Sequence, residues 1–334
     1  MSEVTLTKKD FTSDQEVRWC PGCGDYSILS AMQSFLPELG LPREKIVFIS
    51  GIGCSSRFPY YLETYGMHSI HGRAPAIATG LAVSRPDLSV WVITGDGDAL
   101  SIGGNHLIHA LRRNADLKIL LFNNRIYGLT KGQYSPTSEK GKITKSSPYG
   151  SLDTPFSPIS LALGAEASFV ARTVDSDRKH LTETLRAASK HKGAALIEIY
   201  QNCPIFNDGA FDQIKGSDTK DDVLLRLVHG QPITSASHGV VRDERGLLSA
   251  KPLSEIDPSQ IVVHDAHIQD PTYAFGLSRL SGSSLEHVPV GVFRDVERAP
   301  FSQLIHQQIA DVVAKEGKGE LAALLNGGDT WQVG

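Results

Sequence analysis

The sequence predicts an α/β fold, a doubly wound and mostly parallel sheet followed by an irregular C-terminal extension. Three observations carry this. Short β-branched runs alternate with longer segments of helical period, most of those runs end in a polar or glycine-rich turn, and beyond residue 202 the periodic segments become short. Strands separated by helices pair in parallel, and ligands of such sheets bind at the carboxyl ends of the strands.

In chain order, a turn carrying Trp19-Cys20-Pro21-Gly22-Cys23-Gly24 precedes an amphipathic helix from about Asp25 to Leu39, with Ile28, Leu29, Met32, Phe35 and Leu36 at helical spacing. Lys45 to Ser50 reads as a short strand that ends in Gly51-Ile52-Gly53-Cys54-Ser55-Ser56. After a loop containing His68, His71, Gly72 and Arg73, the small apolar stretch Ala74 to Ser84 suits a helix packed closely on a sheet. Ser89 to Thr94 is a buried strand by length and β-branching, and it stops in Gly95-Asp96-Gly97-Asp98. A helix from about Gly103 to Asn114 leads to the strand Leu117 to Phe122, which ends in Asn123-Asn124. Further strands are expected at Phe169 to Val174 and Ala194 to Tyr200, with a helix from about Asp177 to Lys192 between them. The expected division is an α/β domain over 1–201 and an extension over 202–334. That extension should hold a few helices, Asp221 to Val228 and Phe301 to Ala314, without a second core.

Composition bounds the function. With 334 residues, 40% hydrophobic and 21% charged, the chain can bury a large core, which excludes disorder. Thirty-three basic against 37 acidic side chains give a net charge of −4, too balanced to argue a nucleic-acid partner. No apolar run reaches the roughly 18 residues of a membrane span, and Met1 to Asp10 is polar, so no membrane association and a cytoplasmic location are expected.

In such a reducing compartment the four cysteines are not expected to form disulfides. Cys20 and Cys23 make a C-x-x-C turn whose glycines let two thiolates face one centre. Cys54 lies in a second glycine-rich turn, and Cys203 follows the strand-like Ala195 to Tyr200. Four thiolates suit structural Zn²⁺ or a [4Fe–4S] cluster, and spacing does not choose between them. A thioredoxin-type redox pair would leave Cys54 and Cys203 unexplained.

Gly-Asp-Gly is also a common turn, so context decides what Asp96 does. Asn124 lies 28 residues beyond it, the length of one helix plus one strand, so both side chains emerge from adjacent strand ends. A carboxylate, an amide oxygen and a backbone carbonyl are hard ligands suited to Mg²⁺. The glycines admit backbone N–H groups to a diphosphate, and the helix from Gly103 adds anion stabilisation. A P-loop, a dinucleotide fingerprint and a G-x-S-x-G elbow are all missing from the sequence.

Gly95-Asp96-Gly97 with Asn123-Asn124 looks like a thiamin diphosphate motif. Together with the two cysteine turns, His71-Gly72-Arg73-Ala74-Pro75 and Ile126-Tyr127-Gly128-Leu129-Thr130-Lys131-Gly132-Gln133, it resembles the β subunit of 2-oxoacid:ferredoxin oxidoreductases, most closely the 2-oxoglutarate members. The match is dense over about 15–215 and looser through Val292-Phe293-Arg294. The resemblance implies a thiamin diphosphate-binding fold with one [4Fe–4S] cluster on Cys20, Cys23, Cys54 and Cys203. It implies Mg²⁺ held by Asp96, Asn124 and the Ile126 carbonyl, with Gly53, Gly95, Gly97, Asp98 and Leu129 around the cofactor. His71 and Arg73 become candidates at the thiazolium end, and Lys131 a candidate for a substrate carboxylate. Against these stand a His68–His71 zinc pair, which lacks a nearby acidic or cysteine partner, and an ordinary solvated loop lysine.

The implied reaction converts a 2-oxoacid, CoA and two oxidised ferredoxins reversibly to acyl-CoA, CO₂ and two reduced ferredoxins. With 2-oxoglutarate the product is succinyl-CoA; pyruvate and branched-chain oxoacids are alternatives. A non-oxidative thiamin-dependent lyase is a further one, but it would need no electron outlet. A zinc-stabilised structural subunit is the non-enzymatic reading. The family also implies an α subunit that supplies the glutamate activating the aminopyrimidine, an inactive isolated chain, and a dimer of αβ pairs. The tail, with Phe211 to Gly216 and Trp331, is expected to wrap that partner.

Overall fold

In the computed structural model, residues 6–282, 284–328, 331, 333 and 334 are described, so Met1 to Thr5 of the polar N-terminal stretch lie outside the described residues. The strands are β1 (Ile46–Ser50), β2 (Tyr65–His68), β3 (Ser89–Gly95), β4 (Lys118–Asn123), β5 (Phe169–Val174), β6 (Ala195–Tyr200), β7 (Leu224–Leu227), β8 (His238–Arg242), β9 (Leu248–Pro252) and β10 (Val288–Asp295). The helices are α1 (Asp25–Phe35), α2 (Ala74–Ser84), α3 (Asp96–Leu100), α4 (Gly104–Arg113), α5 (Pro158–Gly164), α6 (Arg178–Lys190), α7 (Asp212–Lys215), α8 (Lys220–Val223), α9 (Thr272–Ser278), α10 (Phe301–Glu316) and α11 (Leu321–Leu325). Eight strands form one sheet in the order β2-β1-β3-β4-β6-β5-β10-β7. Every neighbouring pair is parallel except β10 with β5. Strands β8 and β9 make a separate antiparallel hairpin. Among the described residues no helix is long and apolar enough to cross a membrane.

The period of two along each strand sorts its side chains onto two faces. Phe48, Trp91, Ile93, Leu120 and Ile197 pack with α1 and α6 through Met32, Phe35, Leu181 and Leu185. Their neighbours Val47, Ile49, Val92, Ile119 and Leu196 pack on the other face with Ala78, Ala110, Leu111 and Leu163. Ala74, Ala78 and Ala82 turn the small face of α2 to the sheet, which permits close approach. Both faces are therefore covered, and only the strand ends remain for a ligand.

The structure departs from the sequence reading in identifiable places. The first helix ends at Phe35 and continues as a 3-10 turn over Leu36–Leu39, because Pro37 has no N–H to extend the α ladder. Asp221 to Val228 is not one helix: Lys220–Val223 is helical and Leu224–Leu227 is the edge strand β7. The run Val223-Leu224-Leu225-Arg226-Leu227-Val228 suits either period, and pairing with β10 decides it. Strand β10 is hidden by Pro289 and by Gly291, whose φ is 124°, and it carries a bulge between Val292 and Arg294. All four residues of β2 are exposed, so the sequence offers no apolar alternation there. The C-terminal segment thus adds β7 and β10 to the main sheet, a contribution absent from the sequence reading.

Candidate functional site

Strands β3 and β4 pair with Gly95 opposite Phe122, which brings Asp96 and the Asn123–Asn124 pair to one rim. Asp96 is 2% exposed, and its Oδ2 lies 2.5 Å from Ser135 Oγ and 2.6 Å from Thr137 Oγ1. Burial outweighs those hydroxyls and raises its carboxyl to about 6. Its other oxygen, Oδ1, has no hydroxyl donor among the described residues. A buried carboxylate with one oxygen anchored and one open is what a hard divalent cation requires. Asn124 Oδ1 accepts from Ile126 N at 3.1 Å, closing a turn and keeping a second lone pair.

Two glycines set the depth of the site. A Cβ on Gly97 would meet Tyr127 Cε1 at 2.2 Å, and the Tyr127 hydroxyl donates to the Gly97 carbonyl at 3.0 Å. A Cβ on Gly128 would stand 3.5 Å from Cys54 Sγ and 3.6 Å from Cys203 Sγ. The loop after β4 therefore touches the diphosphate motif at one end and two cysteine sulfurs at the other.

Asp98 lines the same pocket, as the sequence reading expects, but both its oxygens are committed to protein. Oδ1 accepts from Ile52 N (3.2 Å) and Gly72 N (2.7 Å) and lies 2.6 Å from His71 Nδ1; Oδ2 accepts from the Thr94 hydroxyl at 2.7 Å. A Cβ on Gly51 would fall 1.8 Å from Asp98 Oδ2. Asp98 is thus a buried staple joining the Cys54 turn and the His71 turn to the end of β3.

The four cysteines meet through their turns. Gly24 N donates to the Asn202 carbonyl at 3.1 Å, Gln201 Nε2 reaches Cys23 Sγ at 3.2 Å, and Trp19 Nε1 donates to the Cys54 carbonyl at 2.7 Å. Burial first, then Asp25 and the neighbouring thiols, holds the Cys23 thiol far above its usual range. The same causes push Cys54 up to about 12. Asp25, raised to about 7 by burial and then by Asp175, adds no positive charge. Among the described residues no three His, Cys, Asp or Glu side chains converge to hold a metal ion, so the sulfurs stand grouped but not closed on one point. Thiols held neutral chiefly by burial would become thiolates beside a cationic centre, the chemistry a four-cysteine cluster site would need.

Gly53, Cys54, His71, Gly95, Asp96, Gly97, Asp98, Asn124, Ile126 and Leu129 all border one pocket of about 90 Å³ at the strand ends. Arg73 and Lys131 do not border it. Arg73 precedes α2, and Lys131 is an exposed loop residue held at φ 74°. His68 stacks on Tyr60 at 4.3 Å with its Nδ1 2.9 Å from Ser50 Oγ, apart from His71. Ser135, Thr137 and Gln201 escape sequence reasoning, because isolated polar residues in a loop or strand end carry no spacing signal. A larger cavity of about 950 Å³ opens among Lys190, His191, Asp295 and Arg298, where none of these motifs lies.

A family model described as thiamine pyrophosphate enzyme, C-terminal TPP binding domain, matches residues 51–199. The chain is 64% identical over 330 residues to the 2-oxoglutarate oxidoreductase subunit KorB of Mycobacterium tuberculosis, covering 97% of this chain and 88% of that one. It is 48% identical over 192 residues to the 2-oxoacid:ferredoxin oxidoreductase subunit beta of Saccharolobus solfataricus, covering 57% of this chain and 63% of that one. A solved 2-oxoglutarate:ferredoxin oxidoreductase from Magnetococcus marinus, with 2-oxoglutarate, coenzyme A and succinyl-CoA bound, is similar with a TM-score of 0.77 and 33% identity. That match covers 97% of this chain and 96% of the other.

Proposed function

The chain belongs to the 2-oxoacid:ferredoxin oxidoreductase β subunits, and from that premise we propose that, with an α subunit, it interconverts 2-oxoglutarate plus CoA and succinyl-CoA plus CO₂, exchanging two electrons with ferredoxin. One observation carries the redox part of this reading. The loop holding Asn124 and Ile126 also seats Gly128 against the sulfurs of Cys54 and Cys203, so a cluster held by those sulfurs would adjoin the cofactor pocket.

Thiamin diphosphate supplies the electron sink for decarboxylation, and a [4Fe–4S] cluster accepts electrons singly. The protein's part is to hold them. Asp96 Oδ1, the Asn124 amide oxygen and the Ile126 carbonyl would bind Mg²⁺, and Gly95 and Gly97 leave room for the diphosphate. Cys20, Cys23, Cys54 and Cys203 would ligate the cluster. His71, whose Nδ1 lies beside Asp98 Oδ1, would hold or move a proton at the pocket mouth; Arg73 and Lys131 have no contact with the pocket that supports a role.

A pocket of about 90 Å³ holds roughly three waters at about 30 Å³ each, too little for the whole cofactor. A second wall is needed, and Ile52 and Leu129 at the rim, with exposed Met67 and Ile70 beyond, present apolar surface for an α subunit to complete it. We take the assembly to be a dimer of αβ pairs.

The test is anaerobic turnover of the co-expressed αβ complex with a panel of 2-oxoacids, CoA and ferredoxin. The expected result is preference for 2-oxoglutarate; equal rates with pyruvate would overturn that narrower assignment. The complex should be brown, whereas a colourless zinc-loaded protein would overturn the redox reading. Asn124→Ala should weaken Mg²⁺ and thiamin diphosphate retention by about 10-fold, the effect of one lost ligand, while visible absorbance stays intact. Bleaching in parallel would show that Asn124 supports the fold and not the metal.

A further inference from the structure

A second cavity, of about 240 Å³, lies beside β4, β5 and β6 and is bordered by Asn123 and by Thr137, whose hydroxyl bonds Asp96. No step of the proposed reaction uses it. Arg125, Arg172 and Arg279 border it from three separate elements, and Glu198 is the one carboxylate in its wall. Arg172 is 2% exposed and Arg125 7%, so two of the three guanidiniums are held away from bulk water.

Their existing partners leave donors over. Arg172 donates through Nε to Glu198 Oε2 at 2.7 Å, and through Nη1 to Ser281 Oγ and the Pro289 carbonyl, both at 3.3 Å. Arg125 donates through Nη1 to Glu139 Oε1 at 3.2 Å. Among the described residues, Arg172 Nη2 and the whole Arg279 fork have no hydrogen-bond partner. The Tyr200 ring lies between Arg125, 5.8 Å from its centroid, and Arg172, 5.2 Å away, so it holds both cations against the cavity. Even counting Glu139, three guanidiniums face two carboxylates around a cavity that opens to solvent, where Arg279 is exposed. An anion bound between the guanidiniums would offset that excess.

We propose that this cavity binds a phosphate group, free or terminal on a phosphomonoester. Guanidiniums supplied by three separate elements can share a tetrahedral oxyanion, whereas a planar carboxylate is satisfied by one. The site also touches the cofactor end of the sheet. Glu198 Oε1 accepts from Asn123 Nδ2 at 2.7 Å, and Thr137 Oγ1 lies 2.9 Å from Asn123 Oδ1 and 2.6 Å from Asp96 Oδ2. Thr137 has one proton for two acceptors, so a change at Glu198 alters which of them it serves. Any effect on Mg²⁺ rests on the proposed role of Asp96; phosphate binding itself does not.

The experiment is calorimetric titration of the αβ complex with inorganic phosphate and separately with AMP, at low salt with thiamin diphosphate and Mg²⁺ saturating. The expected result is saturable binding of one phosphate per β chain, weakened about 10-fold or more in Arg279→Gln, the loss of a charge-assisted fork. Arg279 is exposed and outside the cofactor pocket, so thiamin diphosphate affinity should be unchanged in that variant. Tighter binding of AMP than of phosphate, with the same dependence on Arg279, identifies a phosphomonoester as the ligand; equal affinities identify the free anion. Absence of saturable binding, or binding indifferent to Arg279→Gln, overturns the proposal. Because the readout is binding, it can fail while 2-oxoglutarate turnover persists, and the reverse.

Discussion

Arg172→Ala should destabilise the chain by about 3–5 kcal/mol, the cost of leaving a buried charge without its partner. Arg172 and Glu198 face each other in register on β5 and β6, with the carboxylate fully buried. Removing the guanidinium leaves Glu198 with a single hydrogen bond from Asn123 and no counter-charge. The loss approaches the whole stability of an ordinary domain, so poor recovery of folded protein is expected at 37 °C. Urea unfolding should show a lower midpoint. The double variant Arg172→Leu with Glu198→Leu should recover much of the loss, because two apolar side chains need no pairing. A single variant within about 1 kcal/mol of wild type would contradict the burial of an obligate pair.

Asp98→Ala should abolish turnover and cost about 3 kcal/mol, since Ile52 N, Gly72 N and the Thr94 hydroxyl all lose their acceptor in a buried site. Two turns are released together, the one bearing Cys54 and the one bearing His71, so both cluster absorbance and thiamin diphosphate retention should fall. Asp98→Asn separates structure from chemistry. Its oxygen can still accept from Ile52 N and Gly72 N, while its amide faces Thr94, whose hydroxyl can accept instead. Fold and cluster should survive, and the rate should fall because the carboxylate beside His71 Nδ1 is gone. An Asn variant with wild-type kcat and pH profile would show that Asp98 only braces the turns.

Features written locally in the chain were legible from sequence. The β3 and β4 runs end in motifs that retain their meaning in the folded chain, and Asp96 and Asn124 come to one rim because one helix and one strand separate them. The cysteines were legible as a group because each sits at the end of an element. Features made by pairing across distance were not. Arg172 and Glu198 are 26 residues apart and meet only through strand register. Ser135 and Thr137 sit in an aperiodic loop, and nothing in their neighbourhood points to Asp96. Asp98 was legible as a pocket residue because it stands in the motif, but its partners in the Ile52 and His71 turns were not. Strand β10 was missed because Pro289 and Gly291 break the pattern by which a buried strand is recognised.

The seating of β10 between β5, to which it is antiparallel, and β7, to which it is parallel, also orders events during synthesis. Strands β1 to β6 can assemble once the chain has emerged to Tyr200, but the outer edge of β5 then stays unpaired until residues 288–295 leave the ribosome. At about 5–20 residues per second, that is roughly 5–20 s of exposed hydrogen-bonding edge, rich in apolar side chains apart from Arg172 and Thr173 and long enough to recruit another nascent chain. Chaperone dependence of expression should therefore be governed by β10. A chain ending before Val288 should be recovered mainly as aggregate, even with every cofactor residue present.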